Sequence, residues 1–218
     1  MRDVGTMAQA KLEEWAAQVS ITSNIAYKDK EGWDYLLQFP VLQEKNELPL
    51  DLKPTRIECL VQVKGKENKK KRKSIKLSNW AKLVSSPLPA FFLIIYYGKG
   101  VSPKEAFLIE VNEKWISKVM ERLRKVPDEK KNQLNKMSID LIWSRADRLE
   151  TLDGIGLKAA IENAFGDDYD FYVSEKQRLK KEVGQDAPYI IHFTSQAYED
   201  IDAFYSDWID FAIGVMDD

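Results

Sequence analysis

Three polar side chains stand where their neighbours are apolar. Gln62 and Lys64 lie two apart near the end of residues 56–64 (RIECLVQVK), a stretch otherwise rich in β-branched and aliphatic residues. Asp34 sits between Trp33 and Tyr35, two residues after Gly32, at the head of a second apolar stretch. Side chains alternate across a strand, so Glu58, Leu60, Gln62 and Lys64 share one face, and Ile57, Cys59, Val61 and Val63 share the other. An amide and an ammonium on a core strand either face water or serve a site, because a buried polar group without a partner is costly. Asp34 has two similar accounts: a carboxylate that closes a turn by capping backbone amides, or a functional group. The rest of the composition narrows the chemistry. Cys59 is the only cysteine and lies on the apolar face, so it reads as packed and inert, with no disulfide and no cysteine zinc cluster. His192 is the only histidine, so no histidine pair can be built. Hydrolytic chemistry in this chain falls to carboxylates, lysine and a metal ion.

The elements that must position these groups follow from periodicity. Residues 7–19 carry Ala8, Leu12, Trp15 and Val19 at helical spacing, with Thr6 as N-cap and Glu13 and Glu14 beside the apolar face. Strands are expected over 33–40, 56–64, 74–78, 90–97 and 105–111, with another beginning at Ile25. The run 90–97 is nearly continuous apolar, as in a central strand covered on both faces. Short and long helices are expected over 79–85, capped by Ser78, and 113–125, capped by Asn112. The strands 33–40 and 56–64 pair, which sets Asp34 beside Gln62. A basic run, Lys64, Lys66, Lys69, Lys70, Lys71, Arg72 and Lys73, then reads as the tip of a hairpin between 56–64 and 74–78. Residues 1–125 therefore read as an α/β layer on a mixed sheet. From Pro127 the pattern changes to helices over 138–148, 157–165, 174–183 and 196–214, with a short strand at 190–193 and a polar connection over 41–55 earlier in the chain.

Charge divides along the same boundary. The 218 residues carry a net charge of -2. Residues 1–125 hold 23 Lys and Arg against 15 Asp and Glu, whereas 126–218 hold 10 against 20. A polyanion is attracted to the first half and repelled by the second, and the acidic half suits a basic partner. No run approaches the roughly 18 apolar residues of a membrane span. The N-terminus lacks an apolar signal-peptide core. With one cysteine, these features point to a cytoplasmic protein and no membrane partner.

The order of these features, a helix with a glutamate, a strand with Asp34, then Gln62-x-Lys64 ending the next strand, resembles the PD-(D/E)xK nuclease superfamily with its restriction-endonuclease-like fold. It is closest to the branch with glutamine in the acidic position, as in Mrr-type restriction enzymes. The stretch Gly32-Trp33-Asp34 … Val61-Gln62-Val63-Lys64-Gly65 … Pro89 and its hydrophobic strand is also similar to nuclease effector domains of bacterial anti-phage defence, those of CBASS and Lamassu systems. The similarity covers residues 7–125. It implies a mixed central sheet flanked by helices, followed by a mainly helical C-terminal region. It divides the chain into a nuclease-like domain, 1–125, and an acidic interaction or regulatory region, 126–218.

The resemblance also implies roles. Asp34, the Gln62 side-chain carbonyl and the Val63 backbone carbonyl would hold Mg²⁺ or Mn²⁺, with Glu14 rather than Glu13 as the further carboxylate from the first helix. Lys64 would orient the attacking water and stabilise charge developing on the phosphate. Lys66, Lys69, Lys70, Lys71, Arg72 and Lys73 would meet the backbone of double-stranded DNA. The expected activity is metal-dependent endonucleolytic cleavage, in defence or restriction, with a homodimer as the expected assembly. The acidic half would dock a partner ATPase, an SMC-like subunit or a sensor. The alternative is a non-catalytic module that keeps the fold and binds a partner protein, since the neutral Gln62 weakens metal affinity.

Overall fold

The computed structural model describes residues 2–26, 32–40, 57–166 and 169–184. Arg56, the connection 41–55, the strand 190–193 with His192, and the helix 196–214 lie outside them. The described residues belong to one compact unit, Met1–Gln185.

The chain begins with α1 (Val4–Gln18), β1 (Thr22–Ile25), β2 (Tyr35–Gln38), β3 (Glu58–Lys66) and β4 (Arg72–Lys76). It continues through α2 (Leu77–Ser85), β5 (Ala90–Tyr96), β6 (Glu105–Glu110) and α3 (Glu113–Arg124). After a 3₁₀ segment (Asp128–Lys136) come β7 (Ser138–Ile142), α4 (Gly154–Phe165) and α5 (Tyr169–Gly184). Five strands form one mixed sheet in the order β1-β2-β3-β5-β6. β2 runs antiparallel to β1 and β3, β5 parallel to β3, and β6 antiparallel to β5.

Each face of this sheet buries a separate core. Leu12 and Trp15 of α1 and Leu157 and Ile161 of α4 pack with Cys59, Val61, Val63, Phe91 and Leu93 on one face. Trp80 and Leu83 of α2 and Trp115, Ile116 and Val119 of α3 pack with Leu60, Phe92, Ile94 and Ile109 on the other. The result is an α/β protein with a mixed five-stranded central sheet flanked by helices. The alternation Cys59/Val61/Val63 against Leu60/Gln62/Lys64 is what sorts β3 between the two cores.

Two glycines let elements approach. A Cβ at Gly65 would lie 1.9 Å from the Val4 carbonyl oxygen, so the start of α1 crosses β3 only because residue 65 lacks one. Gly32 holds φ 79°, and a Cβ there would meet Lys82 at 3.0 Å. It delivers the chain into Trp33 and Asp34.

Several local expectations change. The N-cap of α1 is Asp3, whose carboxylate accepts from the Gly5 and Thr6 amides, not Thr6 itself. Asn112 is the N-cap residue of α3 but makes no side-chain capping bond. α2 starts at Leu77 with Lys76 as N-cap, so Ser78 lies inside the helix. The basic run is not a hairpin tip. Both edges of β3 are occupied, by β2 and β5, so β4 turns away and pairs with β7 in a separate two-stranded sheet. Residues 138–142, expected as helix, form that strand β7: Ile139, Leu141 and Trp143 are buried at a period of two, and the helical reading missed that alternation.

Among the described residues no helix is long and apolar enough to cross a membrane.

Candidate active site at the head of strands β2 and β3

The register of β2 and β3 places Tyr35 opposite Val61, so the residue before β2 stands beside Gln62. That residue is Asp34. Its amide donates to the Val61 carbonyl at 3.0 Å, and its Oδ2 accepts from the Val63 amide at 2.6 Å. The carboxylate thus takes the place of a backbone carbonyl and closes the ladder where β2 begins. This is the capping role that the sequence allowed, and it leaves Oδ1 without a partner among the described residues. A carboxylate has about four acceptor positions, so capping one amide does not exhaust it. The N–H and C=O of one strand residue point the same way, so the Val63 carbonyl also faces the Asp34 side.

Lys64 Nζ stands 3.8 Å from Asp34 Oδ2, with the Lys64 side chain 28% and the Asp34 side chain 20% exposed. That contact sets Asp34 on the face of β3 that carries Gln62 and Lys64. Gln62 itself is 2% exposed. The solvated-face account therefore fails for it, because α2 and α3 cover that face. Its Oε1 is buried with no hydrogen-bond partner among the described residues. A side-chain carbonyl oxygen in the interior, next in register to a carboxylate, is chemically a hard oxygen donor.

The first helix contributes differently from expectation. α1 packs on the Cys59/Val61/Val63 face, opposite Gln62. Glu14 is exposed, and its ion pair among the described residues is with Lys11, on its own helix, at 2.5 Å. Glu13 accepts the Tyr35 hydroxyl at 2.6 Å, and Tyr35 adjoins Asp34. Burial first, then Glu13 and Asp34, push the Tyr35 hydroxyl well above its ordinary pKa, so it stays a donor. The Glu13–Tyr35 pair escaped the sequence reading because α1's rotation decides which glutamate meets the sheet. Alternation of Tyr35 with Asp34 along β2 was the available signal.

The six further cations do not act alike. Lys66 is buried, and its ammonium donates to the Lys70 and Arg72 carbonyls and lies 4.5 Å from the centre of the Trp143 ring. Burial, with Lys73 and Lys70 adding, lowers its pKa. Lys66 thus holds the loop 67–71 in shape. Arg72 pairs with Asp140 at 2.5 Å across β4–β7, and Lys71 lies over the Phe107 ring at 5.3 Å. Lys69, Lys70 and Lys73 are exposed. Beside the end of β3, Lys70, Arg72 and Lys73 line a cleft of about 530 Å³ together with Gly65, Glu67 and Asp140. Arginine and lysine at a cleft next to Lys64 can hold an anionic chain.

Among the described residues no group of three or more His, Cys, Asp and Glu side chains could hold a metal ion. The oxygens nearest one another in the strand register are the Asp34 carboxylate, the Gln62 side-chain amide and the Val63 backbone carbonyl. No protein-family model, no curated protein and no solved structure matches the chain.

Proposed function

We propose that this chain is a metal-dependent endonuclease of the restriction-endonuclease-like class, acting on double-stranded DNA. The observation that carries the reading is the buried, unpartnered Gln62 Oε1 beside Asp34, with Lys64 on the same strand face. The mixed sheet covered by helices on both faces supports it. An orphaned interior carbonyl fits a hard cation, so Asp34, Gln62 Oε1 and the Val63 carbonyl are the residues that would hold Mg²⁺ or Mn²⁺. When bound, such an ion supplies Lewis-acid stabilisation of phosphate charge. Lys64 supplies the fixed positive charge of the protein and a donor for the attacking water. Lys70, Arg72 and Lys73 position the phosphate backbone along the adjoining cleft. Glu13 holds the Tyr35 hydroxyl and through it the start of β2, a positioning role distinct from the metal-ligand role expected of Glu14.

The test is plasmid cleavage in Mg²⁺ or Mn²⁺. Wild type is expected to nick or linearise the plasmid, and Asp34→Ala and Lys64→Ala to lose at least about a hundredfold in rate. Robust cleavage by both variants overturns the reading. A second reading, a non-catalytic module on the same fold, is favoured by the Asp34 bond to the Val63 amide, which already accounts for that carboxylate structurally. Calorimetry separates the two: Mn²⁺ binding that depends on Asp34 supports the nuclease, and its absence supports the module. Dimerisation, a defence role and docking of a partner ATPase or sensor subunit belong to the proposal too, and gel filtration with pull-downs from the host tests the assembly.

A further inference from the structure

A second, larger cleft lies away from Asp34, along the outer edge of β6, and is lined from α3 and α4. Its volume is about 810 Å³, within the range of small-molecule sites. The walls are aromatic and aliphatic: Trp115 and Trp143 are each 6% exposed and both line it. The mouth carries Ile142, 57% exposed, and Ile155, 70% exposed. Large apolar side chains held in water beside a cavity are what a binding surface leaves uncovered.

Polar groups converge on the same space. Lys114 and Lys118 stand one turn apart on α3, exposed, and neither has an acidic partner among the described residues. Lys118 Nζ lies 5.0 Å from the centre of the Trp115 ring. Along the outer edge of β6, the Ala106 carbonyl and the Leu108 amide are bonded by Leu149 and Asp147. The same edge reaches Glu110 inside the cleft, where its amide has no backbone partner among the described residues. The lining acids are mostly committed. Asp147 accepts from the Ser144 amide and hydroxyl, and Glu110 accepts from the Tyr172 hydroxyl at 2.6 Å. Glu150 is the lining carboxylate left in water without a partner among the described residues.

We propose that this cleft binds a small organic anion with a flat apolar body. The anionic group meets Lys114 and Lys118, an acceptor on the ligand meets the Glu110 amide, and the body lies between Ile142 and Ile155. The site is independent of the Asp34–Gln62–Lys64 arrangement.

Two probes separate the sources of this chemistry in the full chain: anilinonaphthalene sulfonate for aryl acids, and adenosine monophosphate for nucleoside phosphates. Fluorescence titration and calorimetry are expected to show one saturable site for at least one probe. Ile155→Asp and the double variant Lys114→Glu/Lys118→Glu are each expected to weaken it at least about tenfold. Lys99→Glu, an exposed lysine elsewhere, is expected to leave it unchanged. The substituted side chains are exposed, and circular dichroism confirms that each variant is folded. Absence of saturable binding by both probes, or binding kept in both cleft variants, overturns the proposal.

Discussion

Gln62 separates stability from function at a single side chain. Its Oε1 makes no hydrogen bond among the described residues. A buried acceptor without a partner carries its full desolvation penalty, so an apolar side chain of similar size should cost nothing. Gln62→Leu is expected to leave unfolding free energy unchanged or raised by about 1 kcal/mol. The same substitution is expected to abolish Mn²⁺ binding and cleavage. Urea denaturation and calorimetry check the two halves, and a loss of about 2 kcal/mol or more would mean that Oε1 is held by the fold rather than reserved for a ligand. Asp34 has the opposite profile. Its Oδ2 caps the Val63 amide, so Asp34→Ala removes a ladder-closing bond as well as the proposed ligand, whereas Asn keeps an oxygen for the cap. The positions of Asp34, Gln62 and Lys64 on one face were legible, because β pairing and alternation are short-range rules. The burial of Gln62 was not, because it depends on α2 and α3, which come later in the chain.

At the scale of elements, α5 works as a clamp. Tyr169 grips β3 at both polar groups of Glu58, donating to its carbonyl at 2.7 Å and accepting from its amide at 3.2 Å. Tyr172 donates to Glu110 of β6. Lys176 donates to the Leu83 and Leu88 carbonyls and Lys180 to that of Ser85, so two lysines finish the C-terminal turn of α2. Lys176 is 3% exposed, and burial, then Lys180, bring its pKa down from 10.5 to about 7, against the opposing pull of Glu110. Below about pH 7 both the folded and unfolded chains hold this proton, and the burial penalty is present in full. Between about pH 7 and 10.5 the unfolded chain holds more protons, so stability rises with pH. Lys66, also lowered by burial, acts in the same direction. Cys59, Tyr35 and Tyr172 act oppositely, since burial raises each above ordinary values of 9.0 and 10.0, and they reduce stability once pH passes those values. The expected profile climbs from near neutral to about pH 9 and then turns over. Lys176→Met is expected to flatten the climb, as measured by urea midpoints across the range; an unchanged slope would assign the pH dependence to other groups.

For the whole molecule, the charge boundary near residue 125 and the contacts do not coincide. β7 supplies the partner of β4, α4 packs on α1, and α5 clamps β3, β6 and α2. A fragment of residues 1–125 would expose Trp15, Val61 and Phe91 where α4 covers them, and would leave β4 unpaired. Each large side chain uncovered costs roughly 1.5–3 kcal/mol, against a total stability of about 5–15 kcal/mol. The fragment is therefore expected to be insoluble or to lack a cooperative thermal transition by circular dichroism. A fragment that unfolds cooperatively would show that residues 1–125 fold by themselves.

The sequence by itself determined the α/β character, four of the five sheet strands to within a few residues, and the placement of Asp34 at the head of one strand beside Gln62 and Lys64 on the next; the first strand, expected from Ile25 onward, instead spans Thr22–Ile25. Those follow from side-chain alternation, turn residues and the pairing of neighbouring segments, all local along the chain. Only the tertiary structure decided that β4 pairs with β7, that Lys66 turns inward under Trp143, that Glu13 rather than Glu14 reaches the sheet, and that the face bearing Gln62 is covered. Each of these depends on which distant element occupies an edge or a face. Periodicity states that a face is apolar, but competition among all the elements for the two sides of one sheet decides what covers it. The buried amide and its half-exposed lysine are thus legible as an anomaly in the sequence, and as a site only once α2 and α3 close over them.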